Sequence, residues 1–136
     1  MSKLEDMLIR HEGLKLMPYH CTAGKLTIGI GRNIQDRGIN EAEARIMCQN
    51  DIQEITVRLV KYSWFTRLSD VRKDVIVDMA FMGVQRLLGF KKMIEALSRE
   101  DYKAAAAEML ESKWAKQVGV RATELASMMV EGRYIK

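Results

Sequence analysis

Hydrophobic positions follow a helical period at the start of the chain, alternate strictly from residue 14, and return to a helical period after residue 40. Leu4 and Leu8 fall on one stripe, and Ser2-Lys3-Leu4-Glu5 has the form of a capping box, which predicts a first helix running to His11 or Glu12. Gly13 then stands as a left-handed cap. Leu14, Leu16 and Pro18 alternate with more polar neighbours, as do Leu26, Ile28 and Ile30, which predicts two strands around a Thr22-Ala23-Gly24 turn. Pro18, the only proline, assigns the first of them to a sheet edge.

Asp36-Arg37-Gly38 reads as a turn, and Asn40-Glu41-Ala42-Glu43 caps a long helix carrying Ala44, Met47 or Cys48, Ile52, Ile55 and Leu59 on one face. At roughly twenty residues, this helix spans about 30 Å, enough to link two lobes. The pattern breaks from Tyr62 to Leu68. A helix then opens at Ser69 with Val71, Val75, Met79 and Met82 inward and ends near Gly83. After Leu87-Leu88-Gly89-Phe90 comes a short helix with Met93, Ile94 and Leu97. The next starts at Asp101 with Tyr102, Ala105, Ala106, Met109 and Leu110 inward. The last covers about Arg121 to Val130 with Leu125, Met128 and Met129. The ten methionines sit mostly at such core positions, where they act as packing. A small N-terminal sheet followed by a larger helical body is an α+β arrangement, and the cleft between the two is the expected ligand site.

Composition narrows the partners only a little. Hydrophobic residues make up 48% and charged residues 29% of the 136, as in ordinary globular proteins, so disorder is not indicated. Lys and Arg exceed Asp and Glu by 22 to 18, with the excess at the two ends of the chain; this favours an anionic partner. No basic run interleaved with aromatics occurs, so nucleic acid is not expected, and a polyanion such as the bacterial cell wall suits the charge better. Cys21 and Cys48 have no metal-ligand spacing and fall in separate segments; they read as two free thiols, with no metal and no cofactor required. There is no transmembrane-length apolar run and no signal-peptide core, which predicts synthesis in the cytosol, no stable membrane association, and export by outside help.

The candidate chemistry is concentrated near the N-terminus. Glu12 continues the Leu4–Leu8 stripe at the negative end of its helix, so burial and the orphan carbonyl groups both favour the protonated carboxyl, the form a general acid needs. The alternative is a helix-ending Glu that faces water or pairs with an Arg. In the second strand the aliphatic residues take one face, leaving Thr27 on the other with Gly29 and Gly31: a hydroxyl beside bare backbone that a flat ligand can approach. The alternative there is a Thr chosen for strand propensity.

The order Glu12, eight residues, Cys21, five residues, Thr27, then Ile28-Gly29-Ile30-Gly31, resembles the catalytic signature of the T-even phage lysozymes and related endolysins of glycoside hydrolase family 24. The similarity continues through Glu41-Ala42-Glu43-Ala44, Phe81-Met82-Gly83, Leu88-Gly89-Phe90, and Ser112-Lys113-Trp114 with Arg121-Ala122 seven residues after the Trp, nearly the whole chain. The resemblance implies a single lysozyme-like domain over residues 1–136. A mainly β lobe would cover 13–40, a helical lobe 1–12 and 60–136, and a linking helix about 40–60. It implies a muramidase acting on peptidoglycan as a monomer, causing host lysis with access through a holin-type pore. It implies Glu12 as general acid, the middle position on the opposite side of the sugar, and Thr27 holding a water. Arg121 would reach Glu12; Phe81, Met82, Gly29 and Trp114 would help build the cleft; Arg32 and Asp51 would pair between lobes. For Trp114 a core position is the alternative.

Three departures stand out. The segment between the glycine-rich strand and the long helix is brief; Met82 follows Phe81 where relatives commonly have Asn or Gln; and the middle acid is Cys21. A thiol with an ordinary pKa of about 8.5 is only slightly ionised at neutral pH unless something lowers it. His20 is adjacent, but strand neighbours point to opposite faces. Three readings follow: Cys21 acts as base or nucleophile, Thr27 and backbone position the water while Cys21 fills space, or the chain is a weak or inactive peptidoglycan-binding module.

Overall fold

The computed structural model describes residues 2–135, which divide into two compact units, Met1–Cys48 and Gln49–Lys136. The first begins with helix α1 (Lys3–Glu12), whose Ser2 hydroxyl accepts from the Glu5 N–H at 3.0 Å as the capping pattern predicts. Gly13 takes positive φ but an extended ψ of 166°, so the chain leaves the helix directly into a strand instead of through a left-handed cap. Strands β1 (Lys15–His20), β2 (Leu26–Gly29) and β3 (Arg32–Asn33) form an antiparallel sheet in that order. Pro18 thus lies in an edge strand, where its missing N–H costs no ladder bond. The β1–β2 turn is closed by the Gly24 N–H to the Cys21 carbonyl at 2.8 Å and the Cys21 N–H to the Lys25 carbonyl at 3.0 Å.

A short helix α2 (Ile34–Arg37) replaces the simple turn expected before Gly38, and α3 (Glu41–Leu59) follows. The capping box at its start is complete: the Glu43 N–H donates to Asn40 Oδ1 at 2.8 Å and the Asn40 N–H returns to Glu43 Oε1 at 2.9 Å. The division between units falls inside α3. Of the apolar face expected on this helix only Leu59 is buried, with Ile55 packed at the margin; Met47 and Ile52 are exposed. Periodicity identifies which residues share a face, not what covers it.

The second unit holds the apolar core. Short α4 (Ser63–Thr66) and α6 (Val84–Leu88) were not distinguished in the pattern; they flank α5 (Asp70–Ala80), and α7 (Lys91–Ser98), α8 (Tyr102–Leu110), α9 (Lys113–Val118) and α10 (Val120–Glu131) complete the bundle. Phe65, Val75, Met79, Leu87, Met93, Leu97, Met109 and Met129 are almost wholly removed from water. The methionines of this unit are packing, as their spacing indicates, whereas Met7, Met17 and Met47 are exposed. Leu110, expected inward, is exposed at the end of α8. Arg72 finishes the bundle by donating to the Met129 and Val130 carbonyls at 2.7 and 3.0 Å at the end of α10 while lying over the Tyr102 ring. Among the described residues, no helix is long and apolar enough to cross a membrane.

Candidate active site

Glu12 is the last residue of α1, and the glycine-rich strand end comes up against it. A Cβ built on Gly31 would lie 2.7 Å from Glu12 Oε2 and 3.0 Å from its Cβ and Cγ, and Gly31 has φ of 67°. Its φ favours glycine, and an added methyl would have to displace the Glu12 side chain. Gly29, the glycine expected to shape the site, has φ of 73° but open space where a Cβ would go. Its constraint is conformational. The closer partner of the acid is Gly31, legible in the sequence only as a second bare position on the Thr27 strand.

The burial expected of Glu12 is not found. Among the described residues of α1 none is buried, and Leu4, Leu8 and Glu12 are all exposed. A shared stripe does not desolvate a carboxylate unless something covers the stripe.

Thr27 has the opposite character. It is 3% exposed and is the one buried residue among those described in Met1–Cys48. In β2 it faces Tyr19 on one side and Asn33 on the other. Its Oγ1 donates to the Lys25 carbonyl at 2.8 Å. A carbonyl can only accept, so the single hydroxyl proton is committed there and the oxygen lone pairs remain to receive a donor such as water.

Cys21 follows directly from this register. Tyr19 opposes Thr27 and His20 opposes Leu26, so Cys21, two residues past Tyr19, returns to the Thr27 side of the ladder while His20 points away. The thiol is half-buried and free. Its pKa lies below the ordinary thiol value, chiefly because the backbone N–H of Lys25, then that of Ala23, favours the anion; partial desolvation opposes them, and the Thr27 hydroxyl adds a smaller support. That last contribution requires the hydroxyl to rotate away from Lys25, so the amides are the steady part. The turn supplies peptide dipoles, a signal present only as the tight Thr22-Ala23-Gly24 connection.

The remaining candidates distribute unevenly. Arg32 bonds Glu43 through both terminal nitrogens, at 3.0 and 2.7 Å, and the Gly38 carbonyl at 3.2 Å. Glu43 is the acid that Arg32 meets within the first unit, because the capping box already fixes its carboxylate close to β3. Arg32 first, and then the Asn40 N–H, hold the Glu43 carboxyl at a pKa of about 2. In the second unit Asp51 and Phe81 share a cavity of about 220 Å³ with Glu54, Ile55, Arg58 and Ala80. Phe81 is 47% exposed, and Met82 beside it packs against the core. Trp114 is 3% exposed and meets Phe90 edge to face, which makes it a core residue and not a sugar platform. Arg121 donates from Nε to Asp78 Oδ1 at 2.8 Å and from Nη2 to the Asp78 carbonyl at 2.8 Å, so its acid partner within this unit is one the sequence reading left out. Among the described residues no cluster of potential ligands could hold a metal ion.

The family model described as phage lysozyme matches residues 9–129, which includes Glu12, Cys21 and Thr27. An endolysin of Acyrthosiphon pisum secondary endosymbiont phage 1 is 30% identical over 114 residues, covering 81% of this chain and 75% of that protein.

Proposed function

Because the chain belongs to the phage lysozyme family and so to the peptidoglycan-degrading glycosidases, we propose that it is a muramidase cleaving the β-1,4 bond between N-acetylmuramic acid and N-acetylglucosamine. Glu12 donates its proton to the glycosidic oxygen as the C1–O bond breaks. A water held by the free lone pairs of Thr27 Oγ1 gives its proton to the Cys21 thiolate and its oxygen to C1; the thiol and the Glu12 carboxylate then return to their starting protonation through solvent. Direct attack by the thiolate at C1, followed by hydrolysis, uses the same groups. The observation that carries this reading is the backbone support of the Cys21 anion beside buried Thr27, in the segment where Glu12 rests on Gly31.

In the cell this activity causes host lysis, with synthesis in the cytosol and a holin-type pore giving access to the wall. The exposure of Glu12 favours a second reading, a peptidoglycan-binding module with slow or no turnover. Turbidity loss of chloroform-treated Gram-negative cells separates the two. Wild type clears the suspension, Glu12→Gln does not, and borohydride reduction of the products yields muramitol at the new reducing ends. Equal behaviour of wild type and Glu12→Gln removes the muramidase assignment.

A further inference from the structure

The solvent side of α3 carries apolar residues at a spacing that the core does not use. Ile46, Asn50, Gln53, Val57 and Val60 follow one another at steps of four, three, four and three, so they form a single stripe along the helix. Val60 extends it just past the last helical residue, since its N–H still donates to the Thr56 carbonyl at 3.0 Å. Ile46 is 57%, Val57 63% and Val60 50% exposed, and Asn50 and Gln53 are exposed between them. Ile55 and Leu59, which face the core, lie on the opposite side of the helix, so the core leaves this stripe uncovered. A helix face turned to water is ordinarily polar.

A groove of about 490 Å³ runs along the stripe, lined by Asn50, Gln53, Glu54, Val57 and Arg58. The first four of these stand at i, i+3, i+4 and i+7, the diamond into which a side chain of a facing helix inserts in knobs-into-holes packing. Set parallel to itself, the stripe matches in every layer: Ile46, Val57 and Val60 each meet their own copy, and Asn50 and Gln53 meet amides that both donate and accept. Asn50 and Val57 share the heptad position at which an Asn fixes register and a β-branched residue favours two strands. On the flanks Glu54 faces Gln49 of the second copy and Lys61 faces its Thr56, so like charges do not oppose one another. A lipid surface fits less well, because two amides interrupt the apolar stripe and its flanks lack the basic excess of an interfacial helix.

We propose that α3 pairs with α3 of a second copy of this chain as a short parallel two-stranded coiled coil, where the resemblance implies a monomer. From Ile46 to Val60 the seam is about 21 Å long. Being short and partly polar, it gives a weak dimer, with a Kd on the order of 10⁻⁴ M. The pairing rests on the helix alone and not on the muramidase reading.

Sedimentation velocity of the full chain from about 10 μM to about 1 mM is expected to show a dimer fraction that rises with concentration. Val57→Glu is expected to weaken association at least about a hundredfold by placing two carboxylates in one layer, and Asn50→Leu to strengthen it at least about tenfold, because a polar residue in the seam sets register at a cost in stability. Val120→Glu, at a position 84% exposed but on α10, associates as wild type. In a Cys21→Ser/Cys48→Ser background, Gln53→Cys forms an interchain disulfide under mild oxidation, since residue 53 meets its own copy. Wild type and Asn50→Leu that stay monomeric throughout overturn the proposal. Association that survives Val57→Glu overturns the surface assigned to it. A cross-link between Asn50→Cys and Gln53→Cys chains, with none from Gln53→Cys alone, overturns the parallel alignment. Binding of monomeric chains to phosphatidylethanolamine–phosphatidylglycerol vesicles, lost in Val57→Glu, overturns the proposal in favour of a lipid surface.

Discussion

The two units stabilise themselves by different means. In Gln49–Lys136 a run of helices removes Phe65, Val75, Met79, Met109 and Met129 from water, and polar groups such as Arg72 serve mainly to finish helix ends. In Met1–Cys48 the buried side chain among the described residues is a threonine, and order comes from directed bonds: a capping box at Glu43, a bidentate Arg32, and a turn closed on Cys21. Apolar burial is non-directional and tolerates substitution of similar volume, whereas hydrogen-bonded backbone fixes individual atoms. Placing the acid, thiol and hydroxyl on the hydrogen-bonded unit gives each a defined setting. It also makes that unit sensitive to single atoms.

The largest expected effect lies at the acid. Glu12→Gln keeps the shape of the side chain and removes the proton donor, so activity on cell walls should fall by about 10²- to 10⁴-fold with little change in melting temperature. In the helical unit the opposite signature is expected. Met109→Ala opens a cavity in the core and should lower stability by about 2–5 kcal/mol, measured by urea unfolding, while leaving the rate per folded molecule near wild type. If Met109→Ala reduces turnover while leaving stability intact, the contrast between the units fails.

Gly31 and Gly29 sharpen the comparison within one strand. Both have positive φ, so alanine strains the backbone at either, at about 1–2 kcal/mol. Only at Gly31 does the new methyl meet the Glu12 carboxylate. Gly31→Ala should therefore reduce activity by about 10²-fold beyond the loss seen for Gly29→Ala, since a displacement of roughly 1 Å of a reacting group has that consequence. Equal losses would show that Gly31 acts only through its dihedral angles.

Cys21 yields a smaller, pH-dependent effect. With the Lys25 and Ala23 amides lowering its pKa, the rate should rise with pH through a midpoint below the ordinary thiol value of about 8.5. Cys21→Asp moves that limb into the carboxylate range, near about pH 4. Alkylation with iodoacetamide in a Cys48→Ser background isolates the one thiol, and full activity after complete modification would exclude its role as base or nucleophile.

Much of the helical unit was legible because burial there follows the 3.6-residue period: the inward positions of α5, α7 and α10 could be read directly from Val75, Met79, Met93, Leu97, Leu125 and Met129. Spacing and resemblance single out Glu12, Cys21 and Thr27 as candidates. What pattern could not supply was the identity of neighbours across the fold. Glu12 was expected to be buried because Leu4 and Leu8 share its stripe, yet a stripe carries no information about its cover. Within the first unit Arg32 meets Glu43, which the local capping box holds near β3, a partner that no spacing rule singles out. The ionising influence on Cys21 comes from amide groups, which every residue carries and which no side-chain pattern marks.

The smallest effect concerns that Arg32–Glu43 pair, partly exposed and screened by solvent. The Glu43 carboxyl titrates near 2 in the folded chain against 4.5 for the free group, because Arg32 and the Asn40 amide bond its anion. A depressed carboxyl pKa means that the unfolded chain binds the proton more readily, so the contribution to stability is complete above pH 4.5 and declines as pH falls from there through about 2. Side-chain carboxyl NMR should place the Glu43 midpoint near 2 in wild type and move it upward in Arg32→Gln, while Asp51→Asn leaves it in place. If instead Asp51→Asn raises the midpoint and Arg32→Gln does not, the bond network assigned to the first unit is wrong, and with it the argument that this unit is held by directed bonds fixed within its own residues.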